Sequence, residues 1–428
     1  MPRIVSTPGI VRGVAACALA LLGCRPSTPT VRADPVDATP DVAPPAPPKA
    51  GVRERWALVK GRVVDLDAPA TTHTLSTSVV VEAWHGDRGY VVDKGELLTA
   101  YDLPSGKASW SAHVPHVCRT LVAGARWVYC VDEAKVTAFA TKDGAVSAVP
   151  KPTPAWAAVV ETPMRTLLFG AAIVAAFDPA LAPSATTPLT SVGYTPRPFA
   201  TTKGPCFADR SAGIRVTCLD EAGTLRHVTS FPLTPKAGAS FPLDTVHRTD
   251  PNGPVWLMHS ATFGPVGPAI LLELPAAGVA PTKALEVVEQ ALAPALREDG
   301  GLEGLVVRRG KTIALLDDKG ATRWVAKVDP FGETGHAVVV GDTVVVAVHS
   351  PIASGCALIG LHRTTGALLY QADVLQLPIA HSAYLNDVEL EIRGKLVRLS
   401  GHEAGIRYEQ LFDAATGKRL YAEAQLRW

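Results

Sequence analysis

The sequence predicts an all-β fold built from many short strands, and three features of its composition point to it. Glycine and proline each occur 36 times in 428 residues, so that together they make up about one residue in six, against roughly 12% in average proteins. Hydrophobic residues make up 47% of the chain and aromatic residues only 6%. Such a chain has enough apolar residues for a core, which excludes full disorder. Its helix breakers exclude a bundle of long helices, and the lack of a glycine at every third position excludes collagen.

The first element along the chain is an export signal over residues 1–23. Arg3 and Arg12 supply positive charge before an apolar run over residues 14–22. This run is too short to cross a bilayer, which takes about 20 apolar residues, but it has the length of a signal-peptide core. It ends in Leu21-Leu22-Gly23-Cys24, which resembles the lipobox of bacterial lipoproteins. The resemblance implies cleavage before Cys24 and a diacylglycerol on its thiol, with the lipid bilayer as partner. An ordinary secretory signal with an incidental Cys24 is the alternative.

The second element, residues 24–50, is interpreted as a disordered tether that begins at the lipidated cysteine. Residues 25–50 contain eight prolines and no aromatic residue. Such a stretch buries too little apolar surface to fold and favours extended polyproline II, at about 3.1 Å per residue. A Pro-rich peptide ligand is the alternative use. Residue 25 is Arg, whereas lipoproteins retained at the inner membrane carry Asp there. The resemblance therefore implies an anchor in the outer membrane, with the body facing periplasm or surface.

The third element, residues 51–428, contains an internal repeat. In four stretches an aromatic residue follows a turn glycine by four positions; the pairs are Gly106 and Trp110, Gly320 and Trp324, Gly366 and Tyr370, and Gly417 and Tyr421. An apolar strand end and a polar turn, often with Asp, precede each glycine, which is typical of a hairpin. With a second hairpin upstream, each copy amounts to about four strands, and the copies lie about 40 residues apart. This is the signature of a β-propeller.

The number of blades follows from the turns. Turn anchors fall near residues 106, 144, 180, 223, 278, 320, 366 and 417, which predicts eight blades, with seven as the alternative. The early strand Trp56-Ala57-Leu58-Val59 is expected to complete the last blade and close the ring. Residues 282–292 have apolar side chains at helical spacing, so that a short helix on an inserted loop and a strand with a turn both remain open.

The repeat resembles the pyrroloquinoline quinone-like (PQQ-like) propeller repeat. The resemblance covers residues 55–428, strongly at both ends and weakly between about 150 and 300. In that family the aromatic residue docks against the neighbouring blade, which implies this role for Trp110, Trp324, Tyr370 and Tyr421. Quinone-dependent dehydrogenases of this fold carry two adjacent cysteines under the quinone and acidic or amide ligands for calcium. This chain has no adjacent cysteines and only two asparagines, so that the resemblance supports the fold and weakens the enzyme. We predict no cofactor.

Four cysteines are predicted to form two disulfide bonds. Cys118 and Cys130 are twelve residues apart, as are Cys206 and Cys218, and each pair is centred on a turn. This symmetry would place each pair opposite one another across two antiparallel strands, within reach of a disulfide, and an exported protein meets oxidising conditions. In the second pair Asp209 and Arg215 would then also face each other. Cys356 has no evident partner.

Other candidate sites are weaker. His113 and His116, with Cys118, have the spacing of a metal site, but a loop leading into a strand, with Cys118 in a disulfide, explains the same residues, and we assign no metal. Four further polar residues are scattered along the sequence, and no spacing groups them into a catalytic motif; they are Asp87, His247, Asp250 and His259. We therefore assign no catalytic residue. The net charge of +1 argues against nucleic acid as a partner.

These observations predict a membrane-anchored propeller that acts as a non-catalytic binding scaffold in the bacterial envelope, with an unidentified protein or polymer partner. The analogy is with the propeller lipoprotein of the outer-membrane β-barrel assembly machinery, although no partner-binding residue can be matched. The alternative is an exported propeller enzyme, a quinone-dependent oxidoreductase, a hydrolase or a lyase, with its site at the mouth of the channel.

Overall fold

The structure is a computed structural model, and the residues that it describes form only strands, turns and loops. These residues are 55–67, 72–132, 135–149, 156–170, 172–189, 198–209, 213–232, 240–248, 253–263, 269–276, 280–328, 334–349, 356–374, 387–403 and 406–426. They all lie in the second of two compact units, Ala46–Trp428. The predicted signal segment, Cys24 and the tether lie outside the described residues.

The described residues form thirty-five strands in nine antiparallel sheets, and within each sheet the strands pair in chain order. We call these sheets blades 1 to 9. Blade 1 contains β1 (Trp56–Val59), β2 (Arg62–Asp65) and β3 (Thr72–Thr74). Blade 2 contains β4 (Val79–His85), β5 (Arg88–Asp93), β6 (Leu97–Asp102) and β7 (Lys107–His113). Blade 3 contains β8 (Thr120–Ala123), β9 (Trp127–Val131), β10 (Val136–Ala140) and β11 (Val146–Ala148).

The central blades follow the same order. Blade 4 contains β12 (Trp156–Glu161), β13 (Thr166–Gly170), β14 (Ile173–Phe177) and β15 (Pro183–Pro188). Blade 5 contains β16 (Pro198–Thr201), β17 (Gly204–Asp209), β18 (Gly213–Leu219) and β19 (Leu225–Pro232). Blade 6 contains β20 (Ser240–His247), β21 (Val255–Phe263), β22 (Ala269–Leu274) and β23 (Thr282–Val287).

The last three blades complete the chain. Blade 7 contains β24 (Gln290–Leu296), β25 (Leu302–Arg309), β26 (Thr312–Asp317) and β27 (Thr322–Lys327). Blade 8 contains β28 (Thr334–Val340), β29 (Thr343–His349), β30 (Cys356–His362) and β31 (Leu368–Asp373). Blade 9 contains β32 (Asp387–Arg393), β33 (Leu396–Glu403), β34 (Ile406–Asp413) and β35 (Arg419–Leu426).

A hydrophobic cluster lies between each blade and the next, which makes the sheets a ring. Two clusters close it. Ala57 and Leu66 of blade 1 pack with Leu411 of blade 9, and Leu58 of blade 1 packs with Leu103 of blade 2. The core therefore runs around the ring between the blades, since each sheet buries both faces against its neighbours.

The ring has nine blades, and the predictions of eight or seven were wrong. The eight turn anchors correspond to blades 2 to 9, and blade 9 already has four strands of its own. Trp56–Val59 therefore does not complete blade 9 but begins blade 1, where a turn at Lys60 and Gly61, both with positive φ, returns the chain as β2. Blade 1 was missed because its short copy lacks the glycine-to-aromatic pattern.

Among the described residues, blade 1 has no strand in the first position. The Asp65 carboxylate accepts the N–H of Asp67 at 2.9 Å, as Asp317 accepts the N–H of Lys319 at 2.9 Å in the turn between the third and fourth strands of blade 7. β2 therefore corresponds to a third strand, and β1 and β3 correspond to a second and a fourth.

One further prediction is settled by the strands. Residues 282–292 form β23, a turn and the start of β24, so that the strand alternative was right and the helix wrong. Within the described ranges, no helix of the length and apolar character needed to cross a membrane is present.

Candidate functional site in the central channel

The repeat aromatics lie against the next blade and donate hydrogen bonds to it. Trp110 Nε1 donates to the Thr141 carbonyl at 3.0 Å, Trp324 Nε1 to the Arg363 carbonyl at 2.7 Å, and the Tyr370 hydroxyl to the Ala414 carbonyl at 2.9 Å. Each acceptor precedes by three residues a turn glycine of the next blade; these glycines are Gly144, Gly366 and Gly417. We call this contact of ring, carbonyl and glycine the aromatic latch.

The latch requires glycine in the turn. Gly366 has a φ of +71°, and a Cβ there would lie 2.6 Å from the Trp324 ring; Gly417 has a φ of +69°, and a Cβ there would overlap the Tyr370 ring. A side chain at either position would be strained by the backbone and would displace the ring. The aromatic ring of one blade therefore requires a glycine in the turn of the next blade on which it lies.

The remaining predicted latch residues have different neighbours. Gly106 faces His73 of β3, and Gly320 faces Leu285 of β23. Tyr421 packs in the cluster that joins blades 9 and 1, with the Arg62 guanidinium 5.0 Å from its ring centroid.

The central blades lack the aromatic residue, which explains the weak repeat between 150 and 300. In every blade with a latch, the aromatic residue directly follows the extra residue of a β-bulge in the fourth strand. Ala185, His227 and Leu285 hold this position in blades 4, 5 and 6. Sequence reasoning also missed Trp127, which lies in the second strand of blade 3 and donates its indole N–H to the Pro179 carbonyl of blade 4 at 3.0 Å.

Both disulfide bonds are present. Cys206 and Cys218 lie directly opposite in β17 and β18 with their Cα atoms 4.1 Å apart, and Asp209 lies opposite Arg215 as expected. Cys118 is bonded to Cys130 with a Cα distance of 5.3 Å.

The first disulfide bond does not have the cross-strand geometry that its spacing predicts. The residue opposite Cys130 is Leu121, and Cys118 precedes β8. The turn between β8 and β9 is centred after Gly124. Cys118 therefore lies in the loop before β8 and reaches Cys130 from there. Cys356 is the first residue of β30, and in the strand register its backbone lies opposite that of His349 in β29.

The His113, His116 and Cys118 motif follows its loop alternative. Cys118 is in the disulfide, and the two ring nitrogens of His116 lie 2.9 Å from the Val117 carbonyl and 2.9 Å from the Thr137 hydroxyl. In the part of the chain that the structure describes, no three His, Cys, Asp or Glu residues come together in a group suited to a metal ion.

A buried ion cluster lies where the ends of the ring meet. Arg398 donates to both oxygens of Glu409 at 2.9 Å and to Glu391 at 3.1 Å, and the side chain of Glu409 is only 2% exposed. Glu82 of blade 2 accepts the N–H groups of Lys60 and Gly61 at 2.6 and 2.7 Å. Burial is the main reason that the pKa of Glu82 is raised, and the charge of Glu409 adds to it.

A cavity of about 190 Å³ adjoins this cluster. Its walls include Lys60, Glu82, Arg119, Arg398 and Glu409. The cluster and the cavity share Glu82, Arg398 and Glu409, so that charged side chains from blades 2 and 9 line the same space.

The larger cavity, of about 390 Å³, lies along the channel wall of blades 6 to 9, and we call it the channel groove. The first strands of these four blades, β20, β24, β28 and β32, supply its lining, which is 246–248, 292, 294, 296, 336–339 and 390–392. Its volume is within the range of ligand pockets, about 300–1,000 Å³.

The channel groove holds two histidines and one acid, and two of these three residues, His247 and Glu391, are poorly placed for acid–base chemistry. Burial lowers the pKa of His247 to about 4, so that this imidazole is neutral at pH 7. The two oxygens of Glu391 face the guanidinium groups of Arg393, at 2.7 Å, and Arg398, at 3.1 Å. A carboxylate held by two arginines and an imidazole of such low basicity are poorly suited to proton transfer near neutral pH.

Two of the other scattered polar residues lie apart from this groove. His259 is buried in β21, and Asp87 lies in the turn between β4 and β5. Asp250 lies outside the described residues, so that of the three described residues His247 alone lines the groove.

A family model described as outer membrane protein assembly factor BamB matches residues 53–193, about a third of the chain. No curated protein has a matching sequence. The crystal structure of BamB from Moraxella catarrhalis is 15% identical, covers 68% of this chain and 89% of its own, and has a TM-score of 0.40. The crystal structure of a eukaryotic initiation factor is 8% identical, covers 80% of this chain and 86% of its own, and has a TM-score of 0.50. The structure of the dihydro-heme d1 dehydrogenase NirN in complex with DHE is 16% identical, covers 75% of this chain and 73% of its own, and has a TM-score of 0.47. The family match and the nine blades support a PQQ-like β-propeller repeat protein.

Proposed function

We propose that this protein is a lipid-anchored propeller of the bacterial envelope that acts as a non-catalytic binding scaffold in outer-membrane protein assembly. The observation that carries the proposal is the match of residues 53–193 to the family model of an outer membrane protein assembly factor. The matched segment includes blades 2 and 3 with the Trp110 latch.

The sequence before the propeller supports the location. The apolar run closed by Gly23-Cys24 and the following Pro-rich stretch are what a lipid anchor and a spacer require. About 26 residues of polyproline II would hold the ring on the order of 80 Å from a membrane surface. A scaffold at that distance presents the loops of nine blades to partners in the envelope.

The test of the scaffold function is affinity capture from solubilised membranes after mild cross-linking, with the full-length chain as bait. We expect envelope proteins to be recovered with the wild-type chain and not with an unrelated lipoprotein that carries the same signal and tether. Recovery of the same proteins with both baits, or of none, would contradict the proposal.

The test of the anchor is Cys24→Ser, which removes the thiol that would carry the lipid. We expect this variant to leave the membrane fraction, and the matched variant Cys17→Ser, in the apolar run of the signal, to stay there. Membrane association of Cys24→Ser equal to that of the wild type would rule out lipidation at this cysteine.

A further inference from the structure

One of the two disulfide bonds has a cysteine outside the sheets. Cys118 lies in the loop before β8, whereas Cys130 lies within β9. Cys118 is 4% exposed, but both of its neighbours in the chain lie at the surface. Val117 is 59% exposed, and the side chain of Arg119 is 60% exposed. A small movement of this loop would therefore bring the sulfur of Cys118 to the surface without separating two strands.

The other disulfide bond is enclosed by its blade. Cys206 and Cys218 lie directly opposite each other within β17 and β18, and each is 1% exposed. The residues on both sides of each of these cysteines are buried as well. A reagent can reach this bond only if strands of blade 5 separate. The two bonds therefore have the same spacing of twelve residues but differ in access.

A histidine is fixed beside the sulfur of Cys130. Thr137 lies opposite Cys130 in the register of β10 and β9, and its hydroxyl lies 2.9 Å from His116 Nε2. The other ring nitrogen, Nδ1, lies 2.9 Å from the Val117 carbonyl and 4.0 Å from Cys130 Sγ. Because a carbonyl oxygen can only accept a hydrogen bond, Nδ1 carries a proton. The imidazole therefore holds an N–H group next to the sulfur that would leave as a thiolate if the bond were reduced.

The enclosed bond has a different neighbour. Arg226 Nη2 lies 4.0 Å from Cys206 Sγ. A guanidinium stays charged in proteins and does not give up a proton, whereas an imidazole can pass a proton on. Of the two disulfide bonds, only Cys118–Cys130 combines a loop cysteine at the surface with a group that can protonate the leaving sulfur.

We propose that Cys118–Cys130 is a redox-active disulfide bond that exchanges with the dithiol of a partner protein. A thiolate of the partner attacks the sulfur of Cys118, the disulfide bond breaks, and its electron pair passes to the sulfur of Cys130. The Nδ1–H of His116 stabilises the Cys130 thiolate, which takes this proton when the imidazole is charged. The second thiolate of the partner then attacks the partner's own sulfur in the mixed disulfide and releases the Cys118 thiolate. The partner is thereby oxidised to a disulfide and this protein is reduced to two thiols, a reaction that does not depend on the proposed scaffold function.

The probe for this site is reduced thioredoxin, a protein dithiol, which is added in excess to the oxidised full-length protein. Free thiols are blocked with N-ethylmaleimide at successive times, and mass spectrometry of the peptides measures the two bonds separately. We expect Cys118–Cys130 to be reduced at least about tenfold faster than Cys206–Cys218, because access limits the rate of exchange, with the circular dichroism spectrum unchanged. Equal rates, faster reduction of Cys206–Cys218, no reduction of either bond, or a loss of β-structure when Cys118–Cys130 opens would overturn the proposal.

The variant that tests the histidine is His116→Ala. We expect it to slow the reduction of Cys118–Cys130 by at least about tenfold, since the leaving thiolate loses its proton donor. His113→Ala, at the exposed end of β7, is the matched control and should keep the wild-type rate. The rate for Cys206–Cys218 in the same samples reports any general loosening of the fold and should not change. Reduction of His116→Ala as fast as that of His113→Ala would overturn the site, and the comparison of the two bonds in the wild type decides the proposal even where a variant fails to fold.

Discussion

The seam between blades 7 and 8 and the region that closes the ring join similar sheets by different chemistry. At the first seam the Trp324 ring lies on Gly366 and donates to the Arg363 carbonyl, within a cluster of fifteen buried apolar residues. At the closing region Arg398 and Glu409 form a bidentate ion pair, and Glu82 binds the turn of blade 1. The latch joins consecutive copies of the repeat by direct contact. The ion pairs of Arg398 lie within blade 9, and they influence Glu82 of blade 2 through their charge.

This difference shows what the repeat can and cannot encode. A latch needs one aromatic residue and, in the next copy, one glycine, so that any copy can join the one that follows it. The last copy meets blade 1, which carries no such glycine and aromatic pair, and the polar groups near this closure must be paired because unpaired buried charges are costly. Buried ion pairs add little net stability over an apolar pair of equal shape, but loss of one partner is expensive. The closing region is thus expected to be the more sensitive to a single change of charge.

The largest effect is expected from Trp324→Ala at the latched seam. The side chain is 8% exposed, and removal of a buried aromatic residue costs about 3–5 kcal/mol of unfolding free energy. Urea denaturation followed by tryptophan fluorescence and circular dichroism measures it. Trp324→Phe keeps most of the packing but loses the indole N–H, and the loss of this hydrogen bond should lower the unfolding free energy by about 1 kcal/mol. Val325→Ala, at the exposed neighbour, should change stability by less than about 0.5 kcal/mol. A loss for Trp324→Ala no greater than for Val325→Ala would contradict the latch.

The next effect is expected from Arg398→Met at the closing region. The change leaves the buried Glu409 carboxylate without its partner, and breaking a buried pair in this way costs about 3 kcal/mol or more. The double variant Arg398→Met with Glu409→Leu should recover most of this loss, because neither charge then remains. Lys283→Met breaks an exposed pair with Glu286 and should cost less than about 1 kcal/mol. If the double variant were as unstable as Arg398→Met, packing and not charge would hold the closing region.

A smaller effect is expected from Tyr370→Phe, which removes one hydroxyl from the latch between blades 8 and 9. The hydroxyl donates to the Ala414 carbonyl at 2.9 Å, and its loss should cost about 1 kcal/mol. Tyr101→Phe is the matched control, because the Tyr101 hydroxyl lies 3.4 Å from the Leu75 carbonyl, too far for a strong hydrogen bond. Equal stability of the two variants would show that the latch depends on the ring alone.

The sequence predicts the latched seams well because their signal is local. A turn glycine and an aromatic four residues later lie in one hairpin, and the same spacing recurs at Gly320 and Gly366. The Cys206–Cys218 disulfide was predictable for the same reason, since its register is symmetrical about one turn. The geometry of the Cys118–Cys130 disulfide could not be predicted in this way, because the turn between β8 and β9 is not centred midway between the two cysteines.

The closing region and the channel groove could not be predicted, since their residues come together only in the ring. Glu82 and Glu409 are more than 300 residues apart in the chain, yet both belong to the environment of Arg398. The groove takes one strand from each of four blades, so that Val246 and Ile392 share no spacing in the sequence. Blade 1 lacks the repeat pattern and was not recognised in the sequence. Its first described strand, Trp56–Val59, was therefore assigned to the last blade instead of to a blade of its own.

The smallest expected effect is on the pH dependence of stability. The contribution of Glu82, in the closing region, changes with pH in the opposite direction to that of Asp317, in blade 7. The pKa of Glu82 is raised mainly by burial, so that the folded protein binds this proton more tightly than the unfolded chain, where the value is about 4.3. Its contribution to stability therefore falls as pH rises above that value. The pKa of Asp317, in a turn of blade 7, is lowered by the N–H groups of Ala321 and Lys319. Its contribution is therefore lost as pH falls below about 3.9.

Glu82→Gln and Asp317→Asn make this contrast measurable by urea denaturation between pH 3 and pH 8. Relative to the wild type, Glu82→Gln is expected to gain stability as pH rises through the mildly acidic range, because the wild type alone must then bury a charge. Asp317→Asn is expected to approach the wild type as pH falls, because protonation removes the advantage of the carboxylate. A stability difference between Glu82→Gln and the wild type that does not change with pH would mean that Glu82 is solvated in the folded protein, because an unshifted pKa contributes no pH dependence. The closing region would then be an open polar surface, and its ion pairs would contribute no more than those on the outer strands.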